Sequence, residues 1–190
     1  MVWDFLSWYQ PTGIMSTSTT VRYGLIAGIL MSLVLFLPYF LWGKKFDFNL
    51  GEALAYSAIF LSLAGSILLG IRSRRKKEFE GTIPFKIAFR TGMTITISAA
   101  IFVYFSVYLF LEFKGTEWLS SYYEHKVLQL HEKFPDKAVF EEKLATLNND
   151  FAQNSADYLN VNSQALMIFF IVLLFGAVIS LASAAIQQRD

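Results

Sequence analysis

Four long stretches of the chain contain no charged side chain. They run over residues 23–42, 53–71, 91–111 and 165–186, and none of them holds an Asp, Glu, Lys, Arg or His. A helix needs about 20 apolar residues to cross the hydrocarbon core of a bilayer, because it rises about 1.5 Å per residue. The pattern therefore predicts an all-α polytopic membrane protein with four transmembrane helices.

The segment between the third and fourth spans, residues 112–164, has a different pattern. It carries nine acidic residues against five lysines, and apolar residues recur in it at the spacings of three and four that mark one face of a helix. The first apolar set is Leu119, Tyr123, Val127, Leu130 and Phe134, and the second is Phe140, Leu144, Leu147 and Phe151. We predict an amphipathic helical hairpin, or a bent pair of helices, in this outer loop.

Local signals divide this outer loop further. Pro135 and Asp136 separate the two apolar sets, and Asp136 is a suitable N-cap for the second helix. Residues 148–162 are rich in Asn, Ser and Asp, which compete with helical hydrogen bonds. We interpret residues 148–162 as a loosely structured return to the fourth span.

Each apolar stripe of the outer loop must be buried against something. The candidates are the other stripe, the membrane surface, the ends of the spans, or another protein. We take all nine stripe residues as candidate partner-binding residues, since no chemistry inside the membrane competes with that role.

The net charge of +1 hides a segregation of charge along the chain. Basic residues near span ends favour the cytoplasmic side, and one face of the predicted bundle holds nine of them against four on the other. The nine are Arg22, Arg72, Arg74, Arg75, Lys76, Lys77, Lys86, Arg90 and Arg189, and the four are Lys44, Lys45, Lys114 and Lys126. This predicts cytoplasmic N- and C-termini, with residues 1–22, 72–90 and 187–190 on that side.

The basic run from Arg72 to Lys77 allows two interpretations. It is a topology anchor first, and it would also lie at anionic lipid headgroups. Aromatic residues do not interleave with it, so nucleic acid is not an expected partner.

Small residues four apart predict contact faces between the spans, because helices in lipid associate by close backbone approach. These faces serve either the bundle itself or a homo-oligomer. From the first span to the fourth, the residues of each face are Gly24, Gly28 and Ser32; Ala58, Ser62, Ser66 and Gly70; Thr91, Thr94 and Ser98; and Gly176, Ser180 and Ala184.

Signatures of chemistry are weak throughout the sequence. There is no cysteine, and no nucleophile elbow, phosphate loop or zinc-protease motif. His125 and His131 point about 120° apart on a helix, so with Glu124 and Glu132 they make a poor zinc site. An enzyme would need Glu112, Glu117 and His125 gathered at the outer surface. We expect no catalytic residue, metal or cofactor.

A transporter or channel is the alternative function. Coupled transport usually needs an ionisable group at membrane depth, and the four spans have none. A passive path would have to use hydroxyl groups, and its expected lining is Ser62, Ser66, Thr94 and Ser98.

Several short motifs point to a known family. They are Tyr23-Gly24 with Gly28, Gly70-Ile71-Arg72 before the basic run, Gly81-Thr82-Ile83-Pro84-Phe85, Ala88-Phe89 with Gly92, and the stretch from Gly176 to Ile186. From Arg22 to the C-terminus the chain resembles the domain-of-unknown-function 4199 family of small four-span bacterial membrane proteins. The resemblance implies a bacterial inner membrane and a periplasmic outer loop, and it implies no activity and no site residues.

The Gly81–Phe85 motif also predicts how the third span begins. Thr82 is a suitable N-cap for a helix that Pro84 enters in its first turn, so we expect Ile83 to Phe89 to form an interfacial elbow before the third span.

Residues 1–21 lie outside the family pattern. Their aromatic tip is either an interfacial anchor that a Ser/Thr-rich link joins to the first span, or an addition upstream of a native start at Met15.

Overall fold

The computed structural model describes residues 14–42, 48–158 and 160–188, and these residues are organised into five helices. The helices are α1 (Ile14–Trp42), α2 (Phe48–Glu78), α3 (Phe85–Lys133), α4 (Lys137–Tyr158) and α5 (Val161–Gln188). Four of them, all except α4, are long and apolar enough to cross a membrane. The all-α class is confirmed, and the four predicted spans coincide with these four candidate membrane-spanning helices.

Helix α1 begins earlier than the predicted first span. It starts at Ile14, so the Ser/Thr-rich residues 16–20, expected as a link, belong to the helix. Thr20 is buried, so packing of this turn against the bundle outweighs the low helix propensity of its residues. The aromatic tip before Pro11 lies outside the described residues.

Helix α3 is the longest element and packs against α1, α2 and α5. It has 49 residues, about 74 Å of helix, and it continues through Leu111 without a break. The expected elbow at Ile83–Phe89 is wrong, because α3 starts at Phe85 and Phe89 already lies inside it.

The expected cap at Thr82 is also wrong, and the turn after α2 explains why. Glu80 and Gly81 both have positive φ, 50° and 102°, and the Gly81 amide donates to the Arg75 carbonyl at 3.2 Å. The Thr82 amide then donates back to Phe79 at 3.0 Å, so Thr82 belongs to the turn that closes α2. Pro84 occupies the N-cap position of α3 without a side-chain capping bond.

Glycines let the helices around α3 approach closely. A methyl group on Gly24 of α1 would lie 2.5 Å from Cβ of Ser98 and 2.7 Å from the carbonyl oxygen of Ile95. On the other side of α3, Gly92 faces Ser180 of α5, and Gly176 of α5 faces Thr96. These small residues serve contacts within the chain, as the bundle interpretation predicted.

Helices α4 and α5 are capped by side chains. Asp136 accepts from the amides of Ala138 and Val139 at 2.9 and 3.2 Å, which confirms it as an N-cap. The loose return predicted for residues 148–162 is wrong, since α4 continues to Tyr158. Asn160 accepts from the Ser163 amide at 3.1 Å and caps α5, so the turn-forming residues act at one boundary instead of loosening the whole segment.

We expect Gly24→Ala to lower the free energy of unfolding by about 1–3 kcal/mol, because the new methyl group must push α1 away from α3. Gly65→Ala is the matched control, since a Cβ at Gly65 of α2 meets nothing within 4 Å. Equilibrium unfolding in mixed micelles gives both values. Equal effects of the two substitutions would contradict the close contact at Gly24.

Candidate functional site

The nine stripe residues lie where α4 folds back along the outer part of α3. The Tyr123 hydroxyl donates to Asn148 Oδ1 at 2.6 Å, and the rings of Tyr123 and Phe151 meet edge to face with centroids 5.0 Å apart. Nearer the turn, the His131 and Phe140 rings meet in the same way at 5.4 Å. These contacts cover part of each stripe with the other. We call residues 112–158 the arm.

The two stripes cover each other incompletely. Leu119 is buried, while the other eight stripe residues are half-buried: Tyr123, Val127, Leu130, Phe134, Phe140, Leu144, Leu147 and Phe151. The arm therefore keeps apolar surface accessible beside the line where its two helices meet.

That accessible surface includes a groove of about 330 Å³ along one side of the helix pair. We call it the arm groove, and its lining is Lys126, Gln129, Leu130, Lys133, Phe134, Lys143, Thr146, Leu147 and Asp150. Leu130, Phe134 and Leu147 provide the apolar lining, and three lysines stand beside them.

The lysines of the arm groove have few acidic neighbours. The ammonium groups of Lys126 and Lys133 lie over aromatic rings, 5.2 Å from the Tyr122 centroid and 5.6 Å from the Phe134 centroid. Lys143 lies 3.6 Å from its exposed neighbour Glu142. Across the described part of the chain, no carboxylate lies within 4 Å of the ammonium group of Lys126 or Lys133, and the groove is positively charged.

The residues that an enzyme would need are not gathered. Glu117 accepts from Lys114 Nζ at 2.8 Å, and this carboxylate raises the pKa of Lys114. His125 shares a hydrogen bond of 2.9 Å with Gln129 and lies about 12 Å further along α3 from Glu117. Within residues 14–42, 48–158 and 160–188, no group of three His, Asp or Glu side chains could hold a metal ion.

At the opposite end of the bundle, the basic run separates into two sets. Arg74 Nη1 donates to Thr91 Oγ1 of α3 at 2.9 Å, and Arg74 Nε pairs with Glu78 at 2.9 Å. Arg75 Nη1 donates to the Gln187 carbonyl of α5 at 3.3 Å. Arg72, Lys76 and Lys77 are exposed. Two of the five basic residues therefore join helices, and three are available to lipid headgroups.

Gln187 is a structural residue that sequence reasoning missed. It is buried, and its side-chain Nε2 donates to the Leu68 carbonyl of α2 at 3.1 Å. Its backbone carbonyl accepts from Arg75. The signal in the sequence was weak, because a glutamine just after an apolar span looks like an ordinary interfacial residue.

Comparison with known protein families shows which family this chain belongs to. The family described as a protein of unknown function, DUF4199, matches residues 22–189. The chain belongs to the DUF4199 family. This confirms the resemblance seen in the sequence motifs. No curated protein and no solved structure matches the chain.

The DUF4199 motifs noted in the sequence now have structural roles. Gly24 and Gly28 are contact points of α1 with Ser98 and Phe102 of α3, and Gly176 is a contact point of α5. Gly81 supplies the positive φ of the turn after α2. In this DUF4199 chain the motifs therefore support the bundle, and none of them lies in the arm.

We expect Arg74→Ala to lower the free energy of unfolding by about 2 kcal/mol, because it removes a charged donor from Thr91 in a partly buried site. Lys77→Ala, an exposed change in the same run, should cost less than about 0.5 kcal/mol. Unfolding in mixed micelles measures both. Similar losses for the two variants would show that Arg74 does not join α2 to α3.

Proposed function

We propose that this chain is a non-enzymatic accessory or assembly protein of a membrane, whose four-span bundle presents the arm to a protein partner. One observation carries the proposal. Helix α3 continues past its apolar stretch for residues 112–133, about 33 Å, and α4 returns along it with incompletely covered apolar stripes. A charged helix pair of this length stands outside the hydrocarbon.

The interior of the bundle supports an interaction role over transport. Leu63, Ile67, Ile95 and Val172 are fully buried there. Packed apolar side chains offer no coordination to an ion or a polar solute.

Two of the four hydroxyl groups proposed for a passive path donate hydrogen bonds to carbonyls of their own helix, α3. Thr94 donates to the Arg90 carbonyl and Ser98 donates to the Thr94 carbonyl, each at 2.9 Å. Ser98 also packs against Gly24. A small transporter or channel subunit is the less supported alternative, since it needs these groups and those of Ser62 and Ser66 along one hydrated path.

The proposed setting is a bacterial inner membrane with both termini in the cytoplasm and the arm in the periplasm. The exposed basic residues Arg72, Lys76 and Lys77 at the end opposite the arm support this orientation. The same residues would contact anionic headgroups of the cytoplasmic leaflet.

The absence of native cysteine makes the orientation testable by labelling single-cysteine variants. We expect a membrane-impermeant maleimide, added to cells with a permeabilised outer membrane, to label Asn154→Cys in the arm. Lys77→Cys should be labelled only after the inner membrane is disrupted. The reverse pattern would place the arm in the cytoplasm.

The interaction role is tested by affinity purification of the full chain in mild detergent. We expect specific partners to be lost when Leu130→Asp and Phe140→Asp are combined, because carboxylates between α3 and α4 separate the two stripes. The matched control combines Ser120→Asp and Asn149→Asp, which add the same charge at exposed positions of the same helices. An unchanged set of co-purifying proteins in the stripe variant would contradict the proposed function.

A further inference from the structure

The arm groove follows one edge of each arm helix. Over residues 123–134 of α3 and 140–151 of α4, the stripe residues recur at spacings of four, three and four, which is the heptad spacing of a coiled coil. Each charged residue of the groove directly precedes a stripe residue, so it occupies the heptad position that flanks the seam between coiled-coil helices. Side chains at this position pair with charges on a further helix and select it.

Positive charge is concentrated in the arm groove although the arm as a whole is acidic. Residues 112–158 hold nine acidic residues and five lysines. Three of the five lysines line the groove, and only one of the nine acids does. The groove therefore attracts carboxylates, while the remaining surface of the arm repels them.

The three groove lysines form one group. The contacts of Tyr123 and His131 with α4 show that α4 runs antiparallel to α3. In this register Lys143 of α4 stands at a height between Lys126 and Lys133 of α3, and the one acid of the groove lies nearer the membrane. A carboxylate entering the upper part of the groove thus meets lysines on both of its sides.

The two lysines of α3 are positioned for a partner with matching periodicity. Lys126 and Lys133 are seven residues apart, about 10.5 Å, so they stand on the same edge of α3. The rings of Tyr122 and Phe134 hold their ammonium groups without cancelling the charge. Acids one heptad apart on an incoming helix reach both ammonium groups and form charge-assisted hydrogen bonds with them.

We propose that the arm groove binds an amphipathic helix of another protein, in which acidic residues flank an apolar stripe at heptad spacing. The stripe packs on Leu130, Phe134 and Leu147, and the acids pair with the groove lysines. The bound helix completes a three-helix coiled coil with α3 and α4. This inference rests on the proposed function, because it states the chemistry of the partner to which the arm is presented.

Binding of synthetic peptides to the full chain in phosphatidylcholine nanodiscs tests this inference. The acidic peptide has 22 residues, the length of α4, with leucines at the stripe positions and glutamates directly beside them. Its basic counterpart has lysine in place of each glutamate, and a third peptide has serine in place of each leucine. Fluorescence anisotropy measures binding, and empty nanodiscs give the background. We expect the acidic peptide to bind about tenfold more tightly than either of the others.

Charge reversal in the groove provides a gain of binding as well as a loss. Lys126→Glu combined with Lys133→Glu should weaken binding of the acidic peptide about tenfold and make the basic peptide the tighter ligand. Binding of the basic peptide also shows that the variant is folded. The matched control combines Lys114→Glu and Lys137→Glu, which change the charge of the arm equally outside the groove lining, and it should still prefer the acidic peptide.

Disulfide trapping locates the bound peptide, since the chain has no native cysteine. An acidic peptide with one cysteine beside its central leucine should be trapped by Thr146→Cys, because Thr146 lines the groove. Ala145→Cys is the matched control. Ala145 is also exposed, but it lies about 100° away around α4 and outside the groove lining. We expect about tenfold less trapping at Ala145→Cys.

The outcomes separate this inference from the proposed function. No binding of the acidic peptide, equal binding of the acidic and basic peptides, a preference that charge reversal leaves unchanged, or equal trapping at the two cysteines would each overturn the inference. It is also overturned if phosphatidylglycerol vesicles depend on Lys126 and Lys133 and the acidic peptide does not.

The partners of the arm provide the remaining comparison. If they are lost in the Leu130→Asp and Phe140→Asp chain but persist when Lys126 and Lys133 are reversed, the inference fails and the interaction role stands. If the peptides bind as expected while no protein depends on the arm, the chemistry of the groove stands and the accessory role fails.

Discussion

Direct contact between helix surfaces holds this bundle together, because hydrocarbon removes the hydrophobic driving force that joins helices in water. Contacts of this kind need the backbones to approach closely, and α3 meets α1 at Gly24 and α5 at Gly176. Gly92 of α3 provides the reciprocal space for Ser180. The position of the whole arm depends on these contacts, since the arm is an extension of the same α3 that they hold.

The two ends of the molecule are stabilised by different means. Near the basic run, hydrogen bonds from Arg74 to α3 and from Arg75 and Gln187 between α2 and α5 tie three helix ends together. The arm has aromatic contacts and the bond from Tyr123 to Asn148. Its two helices cover each other less completely than the spans do, and this difference gives the arm its accessible apolar surface.

The sequence was sufficient for the elements whose cause is local or follows from the bilayer. Uncharged stretches identified the four spans, and the spacing from Leu119 to Phe151 identified two helical stripes. Asp136 was recognised as a cap because its Oδ1 satisfies amides of the next turn, which depends on neighbours in the chain alone. These inferences need no knowledge of tertiary packing.

The wrong predictions concern segments whose structure depends on tertiary contacts or on the exact conformation of a turn. Thr82 resembles a cap, but the turn through Glu80 and Gly81 uses its amide to close α2. The Asn-rich stretch after Leu147 resembles a loop, but Asn148 is held by Tyr123 and Phe151 by two aromatic rings, so α4 continues. The roles of Arg74, Arg75 and Gln187 depend on partners that lie 17 or more residues away in the chain, so no local sequence pattern indicates these roles.

The unbroken course of α3 has a mechanical consequence. A helix without a proline or a break between its buried and its projecting parts behaves as one stiff rod, so its inclination in the bilayer is transmitted to the far end of the arm. A change of about 10° in that inclination displaces a tip about 33 Å above the surface by about 6 Å. Any change in bilayer thickness that alters this inclination is thereby converted into lateral displacement at the far end of the arm.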